Sequence, residues 1–265
     1  MGSLLQIAAR GPDMRSLARA MSDAFEVVDR VERLMSFHTE QSELSYLNRE
    51  ASRQPCEVHP WTYGVLRRAL LFADVSGGLF DVCVAPALIE AGELPRRGAS
   101  ESHIGNWRDI RLMRAYRVEY LQPILIDLGG IAKGYAVDRA IHTLSRGGCS
   151  AATVNAGGDL RRFGGDSEPV YLRAGDGLLP IAQLRHGAVA GSTSPASRRG
   201  RLAGAIGCIV DPRSGRPWDG NGEVCVAAPT CVAADALTKV AALAGPACRP
   251  LLARFGAQAL WCPVP

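Results

Sequence analysis

At Asp127-Leu128-Gly129-Gly130-Ile131-Ala132-Lys133-Gly134-Tyr135-Ala136-Val137-Asp138 the chain passes from an apolar run, Ile124 to Ile126, through two glycines into a helix start carrying a lysine. The apolar run predicts a strand over 123–127, and the spacing after Ile131 predicts a helix from about 132 to 146. Glycines let backbone approach a ligand closely, and amides at a helix N-terminus attract phosphate. A lysine in the first turn adds a point charge for an anion. The residues alone read equally as a phosphate site or as a tight strand-to-helix turn with an exposed lysine. Their spacing matches neither the P-loop nor the dinucleotide-binding fingerprint.

A second glycine turn, Asn155-Ala156-Gly157-Gly158-Asp159-Leu160, also follows an apolar run. Two such turns, each with an aspartate beside it, favour a shared ligand cleft. A third, Ser76-Gly77-Gly78-Leu79-Phe80-Asp81, reads first as a glycine cap ending a helix over 60–75. Farther on, Ala234-Asp235-Ala236-Leu237-Thr238-Lys239 lies on a helix expected over 231–244. There Asp235 shares a face with Thr238 and Lys239. Aspartate with a hydroxyl suits one edge of a magnesium ion bridging phosphates, but aspartate four residues before lysine is more usually a helix ion pair.

The remaining pattern places a strand at Leu4 to Ala8 and a helix from about 13 to 35, with a stripe of Leu17, Met21, Phe25, Val28, Val31 and Leu34 or Met35. A capped helical turn follows at 42–48, a loop over 85–105, and strands at 108–113, 116–120, 151–155, 169–174, 187–190, 205–210 and 223–227. A helix-strand pair over 246–261 ends the chain. Strands interspersed with long helices predict an α+β class, mixed sheets flanked by helices.

The 265 residues, 47% apolar and 21% charged, suffice for a sizeable core. The net charge of +4 and the arginines at 161–162 and 198–201 carry no aromatic interleaving, so nucleic acid is not an expected partner. Eight scattered cysteines form no CxxC pair, which argues against structural zinc and fits a reducing compartment. Met1 to Arg10 lacks a signal peptide's features, and the apolar stretches fall short of the roughly 18–20 residues that span a bilayer. A cytoplasmic location is therefore expected. Trp61, Trp107, Trp218 and Trp261 read as packing residues, and His142 as a packing or solvent-facing one. His38 is close to a motif and is a candidate for function.

Taken together these segments resemble the FAD:protein FMN transferases, the ApbE family, in order from Met35 to about Gly245. The matching pieces are Met35-Ser36 with Ser42-Glu43-Leu44-Ser45 and Asn48, the Ser76 to Asp81 turn and the Asp127 to Asp138 string. Asn155 to Leu160, Asp211-Pro212-Arg213-Ser214-Gly215-Arg216-Pro217 and Ala234 to Leu237 complete them. The resemblance implies one ApbE-like, T-fold-like domain over 1–265, built as two packed lobes. It implies FAD as substrate, Mg²⁺ as cofactor, and transfer of FMN to a threonine or serine hydroxyl of an acceptor flavoprotein, with release of AMP. It places Asp127, Gly129, Gly130 and Lys133 at the FAD phosphates, and the Ala132 carbonyl, Asp235 and Thr238 at the metal. Met35, Ser36, Ser42, Asn48, Asp81, Asn155, Gly157, Gly158 and Asp159 would line the flavin and adenosine pocket, with Cys208 and Asp211 at the catalytic turn.

The chain departs from the pattern it resembles. Cys208 stands three residues before Asp211, where a histidine is usual. A thiol near its ordinary pKa of about 8.5 is a poorer base at neutral pH than imidazole. Lys239 stands four residues after Asp235, where a metal-binding threonine or serine is usual, and Gly191-Ser192-Thr193-Ser194-Pro195 replaces a Thr-Ser-Gly turn. Three readings follow: a transferase with a modified site, a flavin-binding protein whose transfer is lost or redirected, and an FAD pyrophosphatase. Asp127, Lys133 and Asp235 are compatible with each.

Overall fold

The structure, a computed structural model, describes residues 4–96, 105–174, 177–193, 208–220 and 222–262. Strand β1 (Leu5–Arg10) leads into helix α1 (Met14–Met35), whose N-cap Asp13 accepts the Arg15 and Ser16 amides. The buried stripe of α1 is Ala20, Ala24, Val28, Val31 and Met35. It keeps Val28, Val31 and Met35 of the expected stripe and adds Ala20 and Ala24, while Leu17 and Met21 are partly buried against the core and Phe25 is exposed. Small residues decide this face: Ala20 lies so close to Gly147 that a methyl group there would meet it at 2.7 Å.

Helix α2 (Glu43–Glu50) is capped by Ser42, strand β2 spans Cys56–Glu57, and α3 (Pro60–Val75) opens with proline in its first turn. Gly77 and Gly78, with φ of 62° and 82°, end α3 as the sequence suggests. The segment read as a loop from 85 instead starts with a short helix, α4 (Ala85–Glu90). Strands β3 (Ile110–Met113) and β4 (Arg117–Tyr120) join β2 in a small antiparallel sheet ordered β2-β4-β3.

The strand expected over 123–127 does not form. Asn48 does the work of a partner strand: its amide donates to the Ile126 carbonyl (3.0 Å) and accepts the Ile126 N–H (2.9 Å). A side chain thus satisfies a backbone segment that no ladder reaches. The Asp127 N–H goes to the Val82 carbonyl.

Helix α5 (Ala132–Arg146) follows, then strands β5 (Ala151–Ala156), β6 (Asp159–Phe163), β7 (Glu168–Ala174), β8 (Gly177–Leu184) and β9 (Gly187–Thr193). β6 and β8 go beyond the sequence expectation, since the adjacent arginines of β6 and Pro180 inside β8 break the strand pattern. Of the strand expected over 205–210, residues 205–207 lie outside those described. A short hairpin of β10 (Val210–Asp211) and β11 (Arg216–Pro217) precedes β12 (Glu223–Ala228), α6 (Cys231–Ala244), α7 (Arg249–Arg254) and β13 (Gln258–Cys262).

The main sheet is open, antiparallel and six-stranded, ordered β1-β5-β6-β9-β12-β13. Helices α5 and α6 lie side by side against it; α1 packs on α5 and α3 touches α6. One core cluster runs from α1 through both inner helices to the sheet. This is the α+β class expected, with antiparallel sheets and helices layered on them.

The helical stretch Cys231–Arg254, continuous through α6, a 3-10 turn and α7, is longer than the apolar segments the sequence reading allowed. Its most apolar 18-residue window is apolar enough to cross a bilayer by length and composition, with mean hydropathy 1.3, yet 67% of that window is buried in the fold. A helix apolar on every side is accounted for by such burial. Its apolarity therefore carries no argument for a membrane span.

Candidate active site

The site lies where the N-terminal halves of α5 and α6 meet the β5–β6 turn. The two helices touch backbone to backbone. A Cβ on Gly134 would lie 2.4 Å from the Cys231 carbonyl oxygen and 2.8 Å from the Asp235 Cβ, so only glycine fits. That contact lets the Gly134 N–H donate to Asp235 Oδ2 at 3.0 Å. Four residues along α5, Asp138 accepts the Cys231 and Val232 amides (2.8 and 2.9 Å) and Arg161 (2.7 Å). Asp138 thus caps α6 from a neighbouring helix, a role that sequence spacing did not show.

Gly129 and Gly130 have ordinary negative φ, so their value is space. A Cβ on Gly129 would meet Asp127 Oδ2 at 2.8 Å; one on Gly130 would meet Lys239 Cε at 3.3 Å. The Gly129 N–H donates to Asp127 Oδ2 at 2.9 Å. The Ala132 amide is taken by the Leu128 carbonyl, and the Gly134 amide by Asp235. Much of the helix N-terminus expected to greet a phosphate is therefore engaged internally, and the positive charge here comes from two lysines.

Lys133 Nζ lies 2.7 Å from Asp159 Oδ2, an ion pair without an aligned hydrogen bond. It joins the two glycine turns that the sequence suggested share a cleft. Burial works against the Lys133 charge, but Asp159 and Asp235 outweigh it and hold the ammonium above its usual range. Burial and the nearby Asp235 charge push the Asp159 carboxyl up, with Lys133 and Lys239 opposing. Burial also pushes the Asp127 carboxyl up, only partly offset by the Gly129 amide, His38 and Lys239. Asp235 goes the other way: burial would raise it, but Lys239, Lys133 and the Gly134 amide hold it below the carboxylate range.

The Lys239 ammonium forms an ion pair with Asp235 Oδ1 and donates to the Asp235 carbonyl at 3.0 Å. The Thr238 hydroxyl donates to that same carbonyl at 2.7 Å and meets Ser192 Oγ at 2.8 Å. Both Asp235 oxygens are thus occupied by donors, and an ammonium sits on one of them. A divalent ion needs carboxylate oxygens whose lone pairs are not already taken by donors, and it is repelled by an adjacent positive charge. The group of Ala132, Asp235 and Thr238, as arranged, does not fit Mg²⁺. Among the described residues no cluster of three or more His, Cys, Asp or Glu side chains is set to hold a metal.

Each of the other candidates has at least one polar atom engaged within the chain. Met35 is buried, the Ser36 carbonyl accepts from Ser42 Oγ, and Ser42 caps α2 through the Ser45 amide. Asn48 holds Ile126, as described. Asp81 accepts the Cys83 and Trp107 amides. Asn155 accepts the Gly158 amide, and Gly157 and Gly158 turn the hairpin with φ of 63° and 104°. Cys208 and Asp211 belong to the β10–β11 hairpin and its approach. Asp211 accepts from Arg213 Nε, Nη2 and N–H, and that guanidinium holds its carboxyl low. Ser194 and Pro195 of the altered turn lie outside the described residues.

Curated relatives and solved structures agree with this architecture. An FAD:protein FMN transferase of Treponema pallidum is 26% identical over 160 residues, 55% of this chain and 44% of its own length. Matches to the curated relatives span 44% to 69% of those proteins' lengths. The crystal structure of an ApbE protein from Thermotoga maritima superposes with a TM-score of 0.79 at 28% identity, over 98% of this chain and 93% of that one. The flavin transferase ApbE from Vibrio cholerae gives 0.83 at 21% identity, over 98% and 90%, and so speaks to fold alone. The sequence model of the ApbE family matches residues 1–261, and with the shared fold this makes the chain a member of the ApbE family.

Proposed function

We propose that the chain transfers the FMN portion of FAD to a threonine or serine hydroxyl of an acceptor flavoprotein. The hydroxyl oxygen attacks the FMN-side phosphorus, the bond from that phosphorus to the bridging oxygen breaks, and AMP leaves with that oxygen. The product is a phosphoester-linked flavin. The observation that carries this reading is the pairing of Lys133 with Asp159, which ties two glycine turns into one charged corner in a fold shared with flavin transferases.

The residues divide the work. Lys133 and Lys239 supply positive charge for the pyrophosphate, fixed in place by buried carboxylates. Asp127 takes the hydroxyl proton, because burial raises its affinity for one, whereas Asp211 is held low by Arg213 and is a weak acceptor. No step is assigned to a divalent ion. The free thiols, five of them buried, support a reducing compartment.

The test is incubation of the protein with FAD and a threonine-bearing flavoprotein, resolving protein-linked FMN, free FMN and AMP. Linked FMN with an equal amount of AMP is expected, and Lys133→Ala should lower turnover by about 10²-fold or more. Free FMN with AMP would mark a pyrophosphatase. FAD bound without turnover would mark a flavin-binding relative. Either result would replace the transferase reading.

A further inference from the structure

We infer that the Lys239 ammonium is the resident cation of this site, standing where a divalent ion would bridge protein and phosphate and making the site independent of metal. The inference rests on the reading that the Asp127–Lys133 turn receives a phosphate-bearing ligand. Nζ is bound by one carboxylate oxygen and one backbone carbonyl oxygen of Asp235, hard oxygens of the kind that hold magnesium or calcium. Its stem passes against the glycine turn, since a Cβ on Gly130 would lie 3.3 Å from Lys239 Cε and 3.9 Å from Cδ. The charge is therefore delivered beside the turn itself.

Two of the three ammonium protons go to Asp235, leaving one N–H for an anion. The same charge acts on Asp127, Asp159 and Asp235, so it serves the whole acidic corner. Asp235 is fully buried and its second oxygen is held by Gly134, so the carboxylate has no freedom to turn toward another cation. Covalent attachment makes this cation permanent: it cannot be chelated away or exchanged.

Mn²⁺ alone, titrated while free ion is followed by electron paramagnetic resonance, tests the inference on the intact protein. Wild type should retain none, and Lys239→Thr should gain affinity by roughly 10- to 100-fold, lost again on adding Asp235→Asn. FAD affinity of wild type, read by flavin fluorescence quenching, should be the same in EDTA as in magnesium. One Mn²⁺ bound per wild-type chain and released by Asp235→Asn would overturn the inference. So would a folded Lys239→Thr that gains no affinity. Should that variant fail to fold, the neutral Lys239→Gln and the wild-type titration decide in its place. A wild type that binds no FAD would remove the flavin reading, while the Mn²⁺ titrations would still judge the cation.

Discussion

Asp127 is a carboxyl whose surroundings resist its charge, and this has a measurable consequence for stability. Its pKa is raised in the folded chain, so folded protein holds a proton that unfolded protein releases between the ordinary value near 3.9 and the raised one. Stability from this group falls as pH rises through that window and stays lower above it. Asp127→Asn keeps an acceptor for the Gly129 amide and removes the charge. The variant should therefore melt higher than wild type near neutrality and no differently at acid pH, while losing transfer, as melting curves across pH would show. At this scale the sequence was partly legible. The Asp235–Lys239 pair follows from helical spacing alone. The Lys133–Asp159 pair does not, because a whole helix and a strand separate the partners and only the tertiary fold brings them together.

At the scale of elements, the contact between α5 and α6 sets the site. Gly134→Ala would drive a methyl group into the Cys231 carbonyl, so the helices must part. The expected loss is about 1–3 kcal/mol of stability, with the Gly134–Asp235 hydrogen bond broken, as denaturant titration and amide exchange at Gly134 would report. Long periodic helices such as α1 and α5 could be read from the sequence because one face of each is apolar. The face of α1 is legible except at Ala20 and Ala24, which a search for bulky apolar residues passes over because close packing at Gly147 favours alanine there. The Ile124–Ile126 run reads as a strand because its residues are uniformly apolar and rich in β-branched isoleucine. What sequence patterns cannot reveal is that its partner is the Asn48 side chain.

At the scale of the molecule, α6 is the pillar: almost every residue from Cys231 to Ala242 is buried between the sheet and the outer helices. Leu237, fully buried there, should cost about 2–5 kcal/mol when cut to alanine, read as a lower denaturation midpoint with unchanged slope. The fold class was legible as a whole, but the strand order was not. The order places β1 at one edge, with Leu5 paired to Ala156 and Arg10 to Ala151. Such a strand has to wait for a partner more than half-way along the chain. Its pairing closes a very long loop, the kind of step that slows refolding. During synthesis β1 therefore emerges long before its strand partner, and the sheet can be sealed on that side only after α5 and β5 have appeared.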